Sequence, residues 1–315
     1  MAYTFDPELQ PLVDMLGALP ERDFSDVEGT RAGLKALIEP LNASVDTSDL
    51  VIEDREVSAS PPVAVRVYAP DSPAPPGGRP ALLDIHGGGF VCGDMAMEHG
   101  FCALAARALD AVVVAVEYRL APEHPFPAGL DDCYAALQWM HAEAAGLGID
   151  VERVAVGGQS AGGGLTAAVA LLARDRGGPP ICFQFLGIPE LDHRLETPSM
   201  RAFVDTPMWH RPNAELSWQY YLGDDPGEVS PYASPAIAED LSGLPPAYVT
   251  AMEFDPLRDE DITYALRLLQ AGVSVELHSL PGTFHGSAAM PTAAVSKRCS
   301  SELFVALRRG LKVER

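Results

Sequence analysis

The segment Val154-Ala155-Val156-Gly157-Gly158-Gln159-Ser160-Ala161-Gly162-Gly163-Gly164-Leu165 passes from a short apolar run, through closely spaced glycines around one serine, into strong helix formers. That passage reads as a strand-to-helix turn. So sharp a turn needs small neighbours, which Gly158 and Gly162 supply, and it lifts the Ser160 hydroxyl to the start of the following helix. Free N–H groups and the helix dipole there favour a developing negative charge. The segment lacks the lysine of a phosphate-binding P-loop and the G-x-G-x-x-G spacing of a dinucleotide fold. A nucleophilic serine is the reading that remains.

Working outward, Val63 to Tyr68 alternates like a half-buried antiparallel strand. Short apolar runs bounded by breakers follow at Ala81 to Ile85, Val112 to Val116, Val154 to Val156, Ile181 to Leu186, Ala247 to Thr250 and Val273 to Leu280. Helical patterns separate most of them: Glu98 to Leu109, Leu130 to Ala145, Ala161 to Arg174 and Asp259 to Ala271. Such alternation predicts an α/β fold whose mostly parallel sheet is covered on both faces. Residues 1–45 are helix-prone without a strand, and 190–230 are irregular, aromatic and punctuated by proline. The expected partition is a helical cap from 1–45 and an insertion at 190–230, over a core formed by 46–189 and 231–315.

A second glycine-rich segment, His86-Gly87-Gly88-Gly89-Phe90, directly follows the buried run Leu82-Leu83-Asp84-Ile85. Three glycines after a strand bring backbone N–H groups close to a ligand. An acyl-transfer enzyme needs such donors where the tetrahedral oxygen gathers charge, each worth about 3–4 kcal/mol. Gly88 and Gly89, with the N–H of Ala161, are the expected oxyanion hole, and His86 is read as a structural hydrogen-bonder. A serine nucleophile also needs a base, and the base needs a carboxylate. In this arrangement the acid and then the histidine follow the serine along the chain. His193 and His210 precede any suitable acid, and His278 lies inside an alternating strand pattern. His285, in Pro281-Gly282-Thr283-Phe284-His285-Gly286 beyond the last strand, is the expected base. Asp255, just past the run Ala247 to Ala251, is the expected acid, with Glu253 its nearest competitor. Asp259, Glu260 and Asp261 are expected to be charges at a helix N-terminus.

His86-Gly87-Gly88-Gly89, Tyr118 to Ala128, Gly158 to Gly163, Asp255 to Asp259 and Phe284-His285-Gly286 together resemble the bacterial hormone-sensitive-lipase-like carboxylesterases. Glu190 to Thr197 and Thr206 to Asn213 look like the heroin-esterase branch of that family. The resemblance implies an α/β-hydrolase fold, a helical cap, no cofactor, and hydrolysis of short acyl esters, including acetyl esters of bulky or aromatic alcohols. It carries the same triad and oxyanion residues onto these positions, and it implies a homodimer. Phe90, Phe203, Trp209 and His210 are the expected substrate contacts. Gln159 stands where many members carry Asp or Thr, and Phe90 where many carry Trp, so neither acyl preference nor the alcohol pocket transfers. Two alternatives stay open: a ligand-binding, receptor-like relative, or an amidase or peptidase using the same triad. The Tyr118 to Ala128 stretch, rich in proline, is read as a fixed loop bracing the core.

Composition narrows the partners. A net charge of −22 repels phosphate backbones, so nucleic acid is not an expected partner. No apolar run reaches the roughly 18–20 residues of a membrane span, and the first residues show no secretory pattern. The five cysteines, Cys92, Cys102, Cys133, Cys182 and Cys299, fall in no zinc or redox spacing, which points to reduced thiols in a cytoplasm and no metal. The expected partner is a small-molecule ester.

Overall fold

The computed structural model describes residues 3–18 and 24–313. Eight strands form one sheet: β1 (Leu50–Val57), β2 (Val63–Pro70), β3 (Arg79–Ile85), β4 (Val112–Val116), β5 (Ile149–Gln159), β6 (Phe183–Gly187), β7 (Ala247–Phe254) and β8 (Val275–Phe284). Their order is β1-β2-β4-β3-β5-β6-β7-β8. The first two junctions, β1 with β2 and β2 with β4, are antiparallel, and the remainder are parallel. The helices are α1 (Gln10–Ala18), α2 (Val27–Asn42), α3 (His99–Leu109), α4 (Ala128–Ala142), α5 (Ala144–Leu147), α6 (Ala161–Asp175), α7 (Pro198–Ala202), α8 (Arg211–Leu222), α9 (Arg258–Gln270) and α10 (Ala294–Gly310).

The central strands are apolar throughout because both of their faces are covered. Ala81, Leu83, Ile85, Val112, Val114, Val116, Val154 and Val156 point into one core with α4 and α6. The alternate residues Leu82, Val113, Ala115 and Ala155 join Phe183, Phe185 and Tyr248 in a second core under α3 and α10. The period of two in the strands thus sorts one sequence run into two cores. Truncating Leu82 or Leu83, both wholly buried, to alanine costs about 2–5 kcal/mol.

Several elements escape the sequence pattern, among them α7 and α8, which form inside the 190–230 stretch read as irregular. The edge strand β1, Leu-Val-Ile-Glu-Asp-Arg-Glu-Val, is mostly exposed and charged, and it is held by its ladder to β2 and by the Arg66–Asp54 pair. Helix α10 carries charged residues on its outer side while Leu303, Ala306 and Leu307 reach the second core. Boundaries also shift. The helix expected over Leu130 to Ala145 ends at Ala142, and β8 runs on to Phe284, past the expected end at Leu280. The acids expected at the start of α9 stand in its first turn, but Glu260 and Asp261 are buried there. Glu260 Oε1 accepts the N–H groups of Leu191 and Asp192, and burial pushes both carboxyls well above the ordinary range.

Above the carboxyl ends of the strands, Phe24 and Leu34 of the N-terminal region meet Met200, Trp209 and Ala214 of the 190–230 segment. Val91, Cys92, Ala121 and Leu257, all in loops beyond strand ends, complete that cluster. The N-terminal arm reaches the far side of the same edge. Asp6 N–H donates to the Gly282 carbonyl, the Glu8 carboxylate accepts Ala294 N–H, and Phe5 and Leu9 pack on Phe284.

Candidate active site

Strands β3 and β5 are neighbours, with Ile85 opposite Gly158, so the segments that leave their carboxyl ends run side by side. A Cβ at Gly158 would lie 2.3 Å from the Ile85 carbonyl oxygen, and one at Gly162 2.0 Å from it. Only glycine fits at either place. Ser160 itself has φ 57° and ψ −124°, a strained conformation of the kind a sharp elbow imposes. Its N–H donates to the Gly187 carbonyl at 2.8 Å, and its carbonyl accepts the N–H groups of Gly164 and Glu190. The elbow is therefore tied to β3, β6 and α6 at once.

Ser160 Oγ lies 3.0 Å from His285 Nε2, and His285 Nδ1 lies 2.7 Å from Asp255 Oδ2. The other Asp255 oxygen accepts Leu257 N–H at 2.9 Å. Asp255 is wholly buried, and Ser160 and His285 are 8% and 7% exposed. The three side chains stand at the first positions after β5, β7 and β8. The competing residues are elsewhere. His278 is held between Glu276 and Glu302, and Glu253 accepts Gly282 N–H, bracing the end of β8.

The Gly87 to Phe90 loop passes beside the serine: a Cβ at Gly87 would lie 3.5 Å from Ser160 Cβ. Gly88 and Gly89 have φ of 122° and 59°, backbone open to glycine. Among the described residues no acceptor takes the N–H of either, and Ala161 opens α6, where N–H groups have no intrahelical partner. His86 is buried, stacks on Tyr118 with ring centroids 4.1 Å apart, and its Nδ1 lies 2.8 Å from the Gly87 carbonyl. Burial lowers its pKa to about 4, so this imidazole is neutral and structural. Tyr118 also donates to the His86 carbonyl, Arg119 clasps Asp132, and Glu123 clasps Arg31 of α2, so the Tyr118 to Ala128 loop is pinned along its length.

The expected substrate contacts divide. Trp209 stands in the site: its ring centroid is 5.8 Å from that of His285, and its Cη2 would meet a Cβ at Gly89 at 2.8 Å. Phe90 does not form an open pocket wall as expected; at 2% exposure it stacks on Tyr221, centroids 4.0 Å apart, in the core behind the triple-glycine loop. Phe203 likewise turns away, into an aromatic cluster with Tyr3 and Phe254 under the Arg258 guanidinium. His210 precedes α8, its Nε2 3.3 Å from Asn213 Nδ2. Among the described residues no group of His, Cys, Asp and Glu is placed to hold a metal ion. Two buried residues beside the triple-glycine loop, Glu190 and Ser217, were not legible as site residues. The signal for Glu190 was a carboxylate directly after the apolar run Phe185 to Pro189.

The model of the alpha/beta hydrolase fold family matches residues 82–289, which span the elbow, the triple glycine and all three triad positions. This chain belongs to the α/β-hydrolase family. Within it the chain resembles hormone-sensitive-lipase-like esterases over most of its length. It is 55% identical to a bacterial heroin esterase of known structure, with a TM-score of 0.94 and 98% of each chain covered. It is 40% identical over 289 residues to the carboxylesterase NlhH of Mycobacterium tuberculosis, covering 89% of each chain. Esterase LipI of the same organism is 38% identical over 285 residues, covering 89% of this chain and 88% of that one. This α/β-hydrolase is a carboxylic ester hydrolase. Among its described residues no helix is long and apolar enough to cross a membrane.

Proposed function

We propose that this α/β-hydrolase cleaves short-chain acyl esters, acetyl esters of bulky or aromatic alcohols above all, through an acyl-enzyme on Ser160. The observation that carries the proposal is the unbroken chain of contacts from Ser160 Oγ through His285 to Asp255, at 3.0 and 2.7 Å. His285 Nε2 takes the serine proton as Oγ attacks the ester carbonyl. Asp255 fixes the tautomer that leaves Nε2 free and stabilises the imidazolium that forms. The N–H groups of Gly88, Gly89 and Ala161 receive the oxyanion, and His285 returns its proton to the departing alcohol. Water then repeats the sequence on the acyl-serine. A short acyl group suits a serine 8% exposed, with Trp209 packed beside His285 and Gly89, and the bulky alcohol follows from likeness to the heroin esterase.

The same proposal takes residues 1–45 and 190–230 as a cap over the 46–189 and 231–315 core, on the strength of the cluster joining Phe24, Leu34 and Trp209 to the loops at the strand ends. The five cysteines, joined in no disulfide among the described residues, fit a cytoplasmic setting. Initial rates on an acyl series from acetyl to octanoyl test the proposal, run in parallel on wild type and Ser160→Ala. Activity highest at two to four carbons and lost in the variant is expected. Equal rates in the variant, or a preference for long chains, would reject it.

A further inference from the structure

Beside the oxyanion loop, Ser217 Oγ lies 2.8 Å from the Gly89 carbonyl oxygen and 3.2 Å from Glu190 Oε1. Both side chains are wholly buried. A serine hydroxyl has one proton to donate, and a peptide carbonyl can only accept. If the Ser217 proton is committed to Gly89, the contact with Glu190 is a hydrogen bond only when the carboxyl supplies a proton of its own. An ionised Glu190 would instead compete with Gly89 for the single Ser217 proton.

The surroundings of Glu190 favour the protonated acid. Among the described residues no cation pairs with it, and its Oε2 is buried without a hydrogen-bond partner. The groups that bear on it are acids: Asp255 beyond β7, Glu260 of α9 and the Tyr221 phenol of α8. Its main chain is fixed, since its N–H donates to the Ser160 carbonyl and its own carbonyl oxygen lies 2.2 Å from where a Cβ on Gly164 would be. A buried carboxylate without compensation is costly, so the group keeps its proton.

We propose that Glu190 is a positioning residue which, as the neutral acid, donates to Ser217 and thereby commits the Ser217 proton to the Gly89 carbonyl, holding the oxyanion loop in register with Ser160. This rests on the assignment of Gly88 and Gly89 as oxyanion donors. Burial, outweighing the opposing contact with Ser217 and aided by the charge of Asp255, pushes the Glu190 carboxyl up to about 8. The sign follows directly. Below that pH the relay is complete. As pH rises through it, Glu190 ionises, the Gly89 carbonyl loses its donor, and the loop that must meet the transition-state oxygen slackens. The loss belongs in kcat, because the oxyanion exists only in the transition state.

The test is the pH dependence of kcat and KM between pH 6 and 10, on an acetyl ester of a non-ionising alcohol, for wild type, Glu190→Gln and Ser217→Ala. Wild type is expected to lose kcat on an alkaline limb near pH 8 with little change in KM. In Glu190→Gln the amide donates without titrating, so the limb disappears while the plateau kcat falls no more than about threefold, within the worth of one neutral hydrogen bond. Ser217→Ala breaks the relay, so kcat falls about tenfold or more across the range and the limb is again lost. An unmoved alkaline limb in either variant overturns the role of Glu190, and the Ser217 variant decides should the glutamine variant fail to fold. A serine-directed phosphonate separates this from the reading beneath it. One label on Ser160 in every variant leaves that reading standing, and absence of label on wild-type Ser160 removes it.

Discussion

Ser160, Asp255 and His285 each occupy the first position after a strand, and His86 does the same after β3. Phe203, Trp209 and His210 stand on a stretch with no strand between Gly187 and Ala247. The first set is held by the backbone: once β5, β7 and β8 pair in register, three side chains arrive at one edge without further choice. The second set is held only by side-chain packing, and it scatters. Trp209 reaches the triad, Phe203 turns to the N-terminal arm, and Phe90, from the triple-glycine loop itself, is drawn into a stack behind it. The proposed triad is fixed by topology, and the aromatic side chains around it by packing.

The largest effects should come from the strand ends. Ser160→Ala and His285→Ala are each expected to lower kcat by about a thousandfold or more with the fold intact, whereas His278→Ala, on a surface pair with Glu276 and Glu302, should change it less than twofold. Steady-state rates with circular dichroism on all three variants check this. An inactive His278→Ala beside an active His285→Ala would move the base and undo the comparison. A smaller effect belongs to the packed set. Trp209→Ala, which empties space over His285 and Gly89, should shift the ratio of butanoyl to acetyl rates by about tenfold, the scale of one or two methylenes in an apolar pocket. Phe203→Leu should leave that ratio alone while lowering Tm. Equal shifts from both would show that the whole aromatic segment lines the pocket.

The division explains what was readable in the sequence. The elbow, the triple glycine and the acid-before-base order are local patterns with steric causes, and Gly158 and Gly162 show the cause outright in their approach to the Ile85 carbonyl. Strand β1 was not readable because an edge strand with its outer face in water needs no apolar alternation. Glu260 and Asp261 were legible at the helix start but not as buried groups, because a helix start favours acids whether they are exposed or buried, and only the packed structure shows which. Phe90 and Phe203 misled because an aromatic residue near a glycine loop or in an irregular insertion fills a core as readily as it lines a pocket.

The smallest expected effect concerns the surface as a whole. A net charge of −22 raises the local concentration of cations, so an ester carrying an ammonium group should show a higher kcat/KM than its neutral isostere. The ratio should shrink a fewfold between about 0.05 and 0.5 M salt as screening shortens the reach of the field, while kcat stays level. A ratio indifferent to salt would assign any amine preference to a contact inside the pocket.

The N-terminal arm adds a constraint on timing. Residues 5 to 9 dock on Gly282, Phe284 and Ala294, the stretch that carries His285, across a sequence separation of 286 residues in the Glu8–Ala294 bond. On a ribosome the arm emerges 286 residues before its berth, so while the intervening chain is made the arm has nowhere to sit. The same is true of the triad, whose base belongs to that berth. A partly made chain therefore exposes the apolar side of its first helix while carrying a serine that cannot yet turn over. Hydrolytic activity and the burial of that helix therefore switch on together, once the stretch around His285 and Ala294 has emerged.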